Sequence, residues 1–74
     1  MKLYFEDSNE NRRFLAECKD ETEVNQKIKE FINNCNKRKP KSQQFKMYYV
    51  RTWNEDNKTW YDVGSHSEFF YTEK

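Results

Sequence analysis

The sequence predicts an α+β domain: a small antiparallel sheet of about four strands in the order β-β-α-β-β, with one amphipathic helix packed on one face. Three observations carry that expectation. One apolar stripe at helical spacing follows a capping signature, extended runs rich in aromatic residues flank it on both sides, and polar turn sequences punctuate the runs. With 74 residues the chain makes a single domain spanning 1–74. A domain of this size buries only roughly 60% of the surface its unfolded chain exposes, so it gains much from a partner or a staple.

Lys2-Leu3-Tyr4-Phe5 reads as a short strand, and Asp7-Ser8-Asn9-Glu10-Asn11 as a polar turn. Arg13 to Cys18 returns as a second strand. Alternation puts Phe14, Ala16 and Cys18 on one face and Arg13, Leu15 and Glu17 on the other, and Leu15 opposite Phe14 leaves the buried face open. The helix begins at Asp20-Glu21-Thr22-Glu23, where the Asp20 carboxylate can accept from the Glu23 amide while the Glu23 side chain reaches back. Val24, Ile28, Phe31, Ile32 and Cys35 then form one stripe, and Pro40 ends the helix after the cations Lys37, Arg38 and Lys39. Phe45 to Trp53 reads as a long strand, Asn54 to Lys58 as a hairpin loop, and Thr59 to Val63 as its return. Gly64 breaks the run, and Phe69-Phe70-Tyr71-Thr72 offers a fifth short strand.

Composition narrows the function classes. Fourteen basic and thirteen acidic residues nearly cancel, unlike the basic excess usual in nucleic-acid binders. No apolar run approaches the roughly 20 residues that cross a membrane, so no membrane partner is expected. Two cysteines and one histidine are too few for a structural zinc site, and no metal or cofactor is expected. The charged start Met1-Lys2-Leu3-Tyr4 has no apolar stretch of a secretory signal, which points to free thiols at Cys18 and Cys35 in a cytosolic protein.

The thirteen aromatics are the unusual feature, and nine of them lie from Phe45 onward. A helix of sixteen residues is roughly 24 Å long and 10 Å across, whereas four strands span about 19 Å, so one helix shields part of one face and none of the other. Phe45, Tyr49 and Trp53 share one side of the second hairpin by alternation, Tyr48 takes the other, and Trp60 and Tyr61 point oppositely. Some of these rings stay uncovered in a monomer, which marks an interface or ligand groove and makes a homo-oligomer the simplest cover.

Two places carry candidate chemistry. Arg51 is flanked on its strand by Tyr49 and Trp53, and a guanidinium beside rings suits an anion attached to a flat ring, such as a nucleotide. Cross-strand pairing with Glu55, Asp56 or Asp62 is an equal reading of the same residue. The segment Asp62 to Glu68 gathers Ser65, His66 and Glu68 behind Gly64. Adjacent residues of one loop rarely converge as a nucleophilic triad, so a polar-rimmed binding site or a plain turn is expected there, and no catalytic residue. The expected ligand-binding residues are therefore Arg51, His66, Ser65, Glu68, Tyr49, Trp53 and Trp60. The basic run Lys37-Arg38-Lys39-Pro40-Lys41 could touch nucleic acid or phosphate, but reads first as a solvated helix end.

Met1 to Ser8, Tyr48 to Trp53 and above all Asp62-Val63-Gly64-Ser65-His66-Ser67-Glu68-Phe69-Phe70 resemble a group of short uncharacterised proteins carried by phages and prophages of Firmicutes. The resemblance implies a protein made in the host bacterial cytoplasm during infection and a role in countering host defences. Joined to the aromatic and arginine pattern, it leads to the expectation of a non-enzymatic binder that sequesters a nucleotide-type immune signal. The rival expectations are an inhibitor of a host defence protein, for example an anti-CRISPR, and a single-stranded nucleic-acid binder that stacks bases on its aromatics.

Overall fold

The computed structural model describes residues 1–65 and 67–74. It is α+β as the sequence indicates, with one helix and a five-stranded antiparallel sheet. The strands are β1 (Lys2–Glu6), β2 (Arg12–Glu17), β3 (Arg51–Glu55), β4 (Lys58–Asp62) and β5 (Phe69–Glu73), and the helix α1 (Glu21–Asn36) lies between β2 and β3 in the chain. Their order across the sheet is β2-β1-β5-β4-β3. The fifth strand is therefore no appendage. It is the middle of the sheet, pairing β1 on one side and β4 on the other.

Local chemistry explains each boundary. The Asp7 carboxylate accepts from the amides of Asn9 at 2.9 Å and Asn11 at 3.0 Å, closing the first turn around Glu10 at φ 64°. Asp20 caps α1 by accepting from the Glu23 amide at 3.0 Å, and the Glu23 carboxylate reaches back to the Lys19 amide at 3.0 Å. Two otherwise orphaned N–H groups are thus satisfied reciprocally. The second hairpin turns on only Asp56 and Asn57, with Glu55 opposite Lys58, so the turn is tighter than an Asn54–Lys58 loop. Asp56 takes the positive φ of 57° that such a turn needs.

Alternation fails in two places. The register of β1 against β2 shifts between Leu3 and Tyr4: Leu3 faces Ala16 while Tyr4 faces Phe14, leaving Leu15 as the extra residue of a bulge. The bulge corrects the alternating assignment of this strand. Leu15 and Ala16 both pack towards the core, and Phe14 turns out to 54% exposure. The long strand expected over Phe45 to Trp53 is also corrected, because pairing begins only at Arg51. β4 ends at Asp62 and Gly64 turns the chain away, so a residue before Arg51 has almost no ladder to join. Two contacts survive, Lys46 N–H to the Val63 carbonyl at 3.0 Å and Val50 N–H to the Asp62 carbonyl at 2.7 Å. Instead, the Asn36 side chain pairs with the Phe45 backbone in both directions, donating to its carbonyl at 3.0 Å and accepting its amide at 2.9 Å.

Helix α1 covers one face. Val24, Ile28 and Ile32 are buried against Leu3, Tyr61 and Phe70, with Phe45, Val63 and Cys18 completing the core. Each such large side chain contributes roughly 1.5–3 kcal/mol by leaving water. The Tyr61 hydroxyl ties the layers together by donating to the Glu21 carboxylate, 2.9 and 3.0 Å from its oxygens. Tyr49 does the same beside it, donating to Asn25 Oδ1 and packing on the Tyr61 ring at 5.0 Å. Among the described residues no helix is long and apolar enough to cross a membrane.

Candidate functional site

Among the described residues no helix lies on the opposite face of the sheet. Strand pairing sets Phe14, Tyr4, Tyr71, Trp60 and Trp53 side by side, one ring from each strand, in the order β2-β1-β5-β4-β3. Their centroids are 5.7, 5.1, 4.7 and 6.0 Å apart in sequence across the row. Phe69 lies beside its end, 5.8 Å from Trp53 and 6.2 Å from Trp60. The rings shield one another so well that Tyr71 is fully buried. The indole N–H of Trp60 is buried too, with no acceptor among the described residues.

Charged side chains border the row. On one side stand Arg12, Glu6, Asp62 and Arg51, with Phe69 between the two carboxylates; on the other stand Glu17, Lys2, Glu73, Lys58 and Glu55. Cations lean over the rings: Arg12 lies 5.5 Å from the Tyr4 centroid, Lys58 4.9 Å from Tyr71, and Arg51 4.7 Å from Trp53. The Arg12 guanidinium also donates to the Tyr71 hydroxyl at 3.2 Å.

Of the residues expected in a ligand site, Arg51, Trp53 and Trp60 meet on this face. Tyr49 does not join them. The correction follows from the missing strand pairing at 45–50, which lets Phe45 and Tyr49 turn under α1 while Trp53 points to the free face. Arg51 donates through Nε to Asp62 Oδ2 at 3.1 Å, the cross-strand pairing that its position also allowed. Ser65 and Glu68 sit in the loop before β5. Ser65 Oγ accepts from the Glu68 and Ser67 amides at 3.2 and 3.4 Å and reaches the Glu68 carboxylate at 3.5 Å. With Gly64 N–H held by Asp62 Oδ1 at 2.9 Å, the loop has the bonding of a plain turn. His66 lies outside the described residues.

A second site was only half visible in the sequence. Between the end of α1 and β2 opens a cleft of about 750 Å³. Lys37, Arg38 and Lys39 line it from the helix end, and Arg13 faces them from β2. Phe31, Asn34 and Cys35 form the rest, and no lining residue carries a carboxylate. Arg13 lies over the Phe31 ring, 5.9 Å from its centroid. The basic run had been readable as a solvated helix end, but nothing in the sequence spacing brings Arg13 and Phe31 beside it. The helix presents about half a negative charge there, against which four full cations prevail.

No protein-family model, no curated protein and no solved structure matches this chain.

Proposed function

We propose that the chain is a binding protein, not an enzyme, and that it takes a nucleotide-type ligand in the cleft between Arg13 and Lys37–Lys39. One observation carries the reading: Arg13 from β2 and Lys37, Arg38 and Lys39 from the helix end line one cleft, with Arg13 over the Phe31 ring and no acidic side chain among the lining residues. Guanidinium groups grip phosphate oxygens in pairs, and a base can stack on the exposed plane of an arginine that itself rests on a ring. A volume of about 750 Å³ is within the range of small-molecule sites. Arg51 is less suited to this role because Asp62 already holds its Nε. Ser65, engaged in its own loop, supports binding over nucleophilic chemistry. The anti-defence setting rests on the phage resemblance alone, and the cleft supports the class of ligand without reference to its origin.

Isothermal calorimetry with cyclic dinucleotides and cyclic ADP-ribose-type nucleotides tests the proposal. Binding is expected, with Arg13→Glu weakening it about 10- to 100-fold, the equivalent of one charge-assisted hydrogen bond. Arg51→Glu, on the other face, should leave the affinity unchanged. Absence of heat with every nucleotide, or equal losses in both variants, would overturn it.

A further inference from the structure

We infer that the free face of the sheet is the contact between two copies of this chain, related by a two-fold axis that runs along the aromatic row. The charge pattern carries the inference. In the border at one end of the strands, the sequence across β2, β1, β4 and β3 is Arg12, Glu6, Asp62, Arg51; at the other end it is Glu17, Lys2, Lys58, Glu55. The two borders are opposite in sign at all four strands.

A second copy laid face to face can be related by two simple two-fold axes in the interface plane. Rotation about the row keeps each strand over its own counterpart and exchanges the two borders. Arg12 then meets the other copy's Glu17, Glu6 meets Lys2, Asp62 meets Lys58, and Arg51 meets Glu55. All four kinds of contact are attractive, and each occurs twice. Rotation about the strand direction instead lays β2 over β3 and β1 over β4 within the same border. Arg12 then meets Arg51, Glu6 meets Asp62, Glu17 meets Glu55, and Lys2 meets Lys58. All four are repulsive. Like-charge contacts strongly disfavour an interface, so the pattern selects one arrangement and rejects the other.

The aromatic row falls on the axis, so the accessible edges of Phe14, Tyr4, Trp60 and Trp53 meet their own copies on either side of buried Tyr71. An apolar centre with a charged rim is the ordinary anatomy of a protein interface. Aligned sheets cross at about 30°, which keeps the contacts nearest the centre in best register. Those are the contacts made by β1 and β4, which flank the central β5. Nucleic acid fits the face poorly, because the four cations Lys2, Arg12, Arg51 and Lys58 share it with the five carboxylates Glu6, Glu17, Glu55, Asp62 and Glu73. Edge-to-edge pairing is blunted by the bulge in β2 and the shortness of β3. Five strands of five or six residues make a flat footprint of about 400 Å² per copy, half the standard area per partner and in the range of weak, transient interfaces. A micromolar dimer is expected.

Sedimentation equilibrium on the whole chain from about 1 to 500 µM tests this. Lys2 and Glu6 make no side-chain hydrogen bond or ion pair among the described residues, but Lys2 stands opposite Glu17 and Glu73 and Glu6 opposite Arg12, so thermal melting first establishes that Lys2→Glu and Glu6→Lys are folded at the working temperature. In each single variant two like-charge contacts replace two attractive ones, and the dimer should weaken at least about tenfold. Mixed in equal amounts, the two variants restore both contacts in the heterodimer, and wild-type association should return. The double variant should self-associate like the wild type. A wild-type chain that stays monomeric throughout, single variants that associate normally, or a mixture no stronger than its components would each overturn the inference. Nucleotide binding in the cleft is measured separately and survives any of these outcomes.

Discussion

Replacing Tyr61 by phenylalanine removes one hydroxyl and leaves the buried ring in place. That hydroxyl is the polar link from β4 to the first turn of α1, lying 2.9 and 3.0 Å from the two oxygens of Glu21. A hydrogen bond to a charged acceptor contributes about 1.5–3 kcal/mol when fully sheltered. Glu21 is exposed, so water competes for the carboxylate and a value below that range, about 1 kcal/mol, is expected. For a domain of this length that lowers the midpoint of thermal unfolding by roughly 4–8 °C. Glu21→Ala alone should cost slightly more, because it also removes a carboxylate from the positive end of the helix. Urea unfolding of both single variants and the double variant isolates the contact, since the dipole effect cancels in the cycle and a coupling of about 1 kcal/mol remains. A coupling below about 0.3 kcal/mol would show that the hydroxyl and carboxylate act independently. The same contact sets an alkaline limit. Burial, then the bond to Glu21, pushes the Tyr61 phenol up, and burial with the Glu21 charge pushes Tyr49 up to about 12. The folded chain holds both protons more tightly than the unfolded chain. Their contribution is therefore complete below the ordinary phenol value of about 10 and is lost as pH rises through the folded values. Stability should fall above pH 10, less steeply in Tyr61→Phe.

Three further outcomes follow from particular contacts. Asn36→Ala strips both partners from the backbone of buried Phe45 and should cost about 2 kcal/mol in urea unfolding, whereas the exposed neighbour Asn33→Ala should cost under about 0.5 kcal/mol. Gly64→Ala should cost about 1–2 kcal/mol by calorimetric melting, because φ is +89° there; the Lys46 side chain, 3.0 Å from the added methyl, is flexible enough to yield. Both cysteines are free, yet a thiol reagent should modify Cys35 at the cleft at least about tenfold faster than Cys18, which is buried and whose thiol is pushed up by burial and the Glu23 charge. Saturating nucleotide should slow Cys35 alone, and equal rates for the two thiols would contradict the burial pattern.

How much of this could be seen in the sequence depends on how local the cause is. Asp20, Glu23 and the Val24–Ile28–Ile32 stripe act within a few residues, so the helix and its start were readable. The β2 bulge was not, because Leu15 and Ala16 turn inwards only through the register against β1. Phe45 to Val50 has the composition of a strand but no partner to pair with, a fact decided by where β4 ends. The candidate sites divide in the same way. Arg51 beside Trp53 follows from spacing along one strand, whereas Arg13 reaches Lys37–Lys39 only through the packing of β2 on α1. The aromatic row could not be anticipated as a row. Tyr4 meets Phe14 and Trp53 meets Trp60 within their own hairpins, but the two pairs become one row only through Tyr71 on β5.

That placement also dictates the order in which the molecule can assemble. The β1–β2 and β3–β4 hairpins close over short loops, and each can form unaided within microseconds. Neither pairs with the other in the sheet; β5 is the strand that joins them. Bringing Lys2 against Glu73 closes nearly the whole chain into a loop, an entropic cost of about 4 kcal/mol from the logarithmic length dependence. Refolding should therefore wait on one late docking event in the millisecond-to-second range, the time typical of sheets held by distant pairings. Until that event the two hairpins carry separate halves of the aromatic row, and neither the charge pattern nor the shared face yet exists.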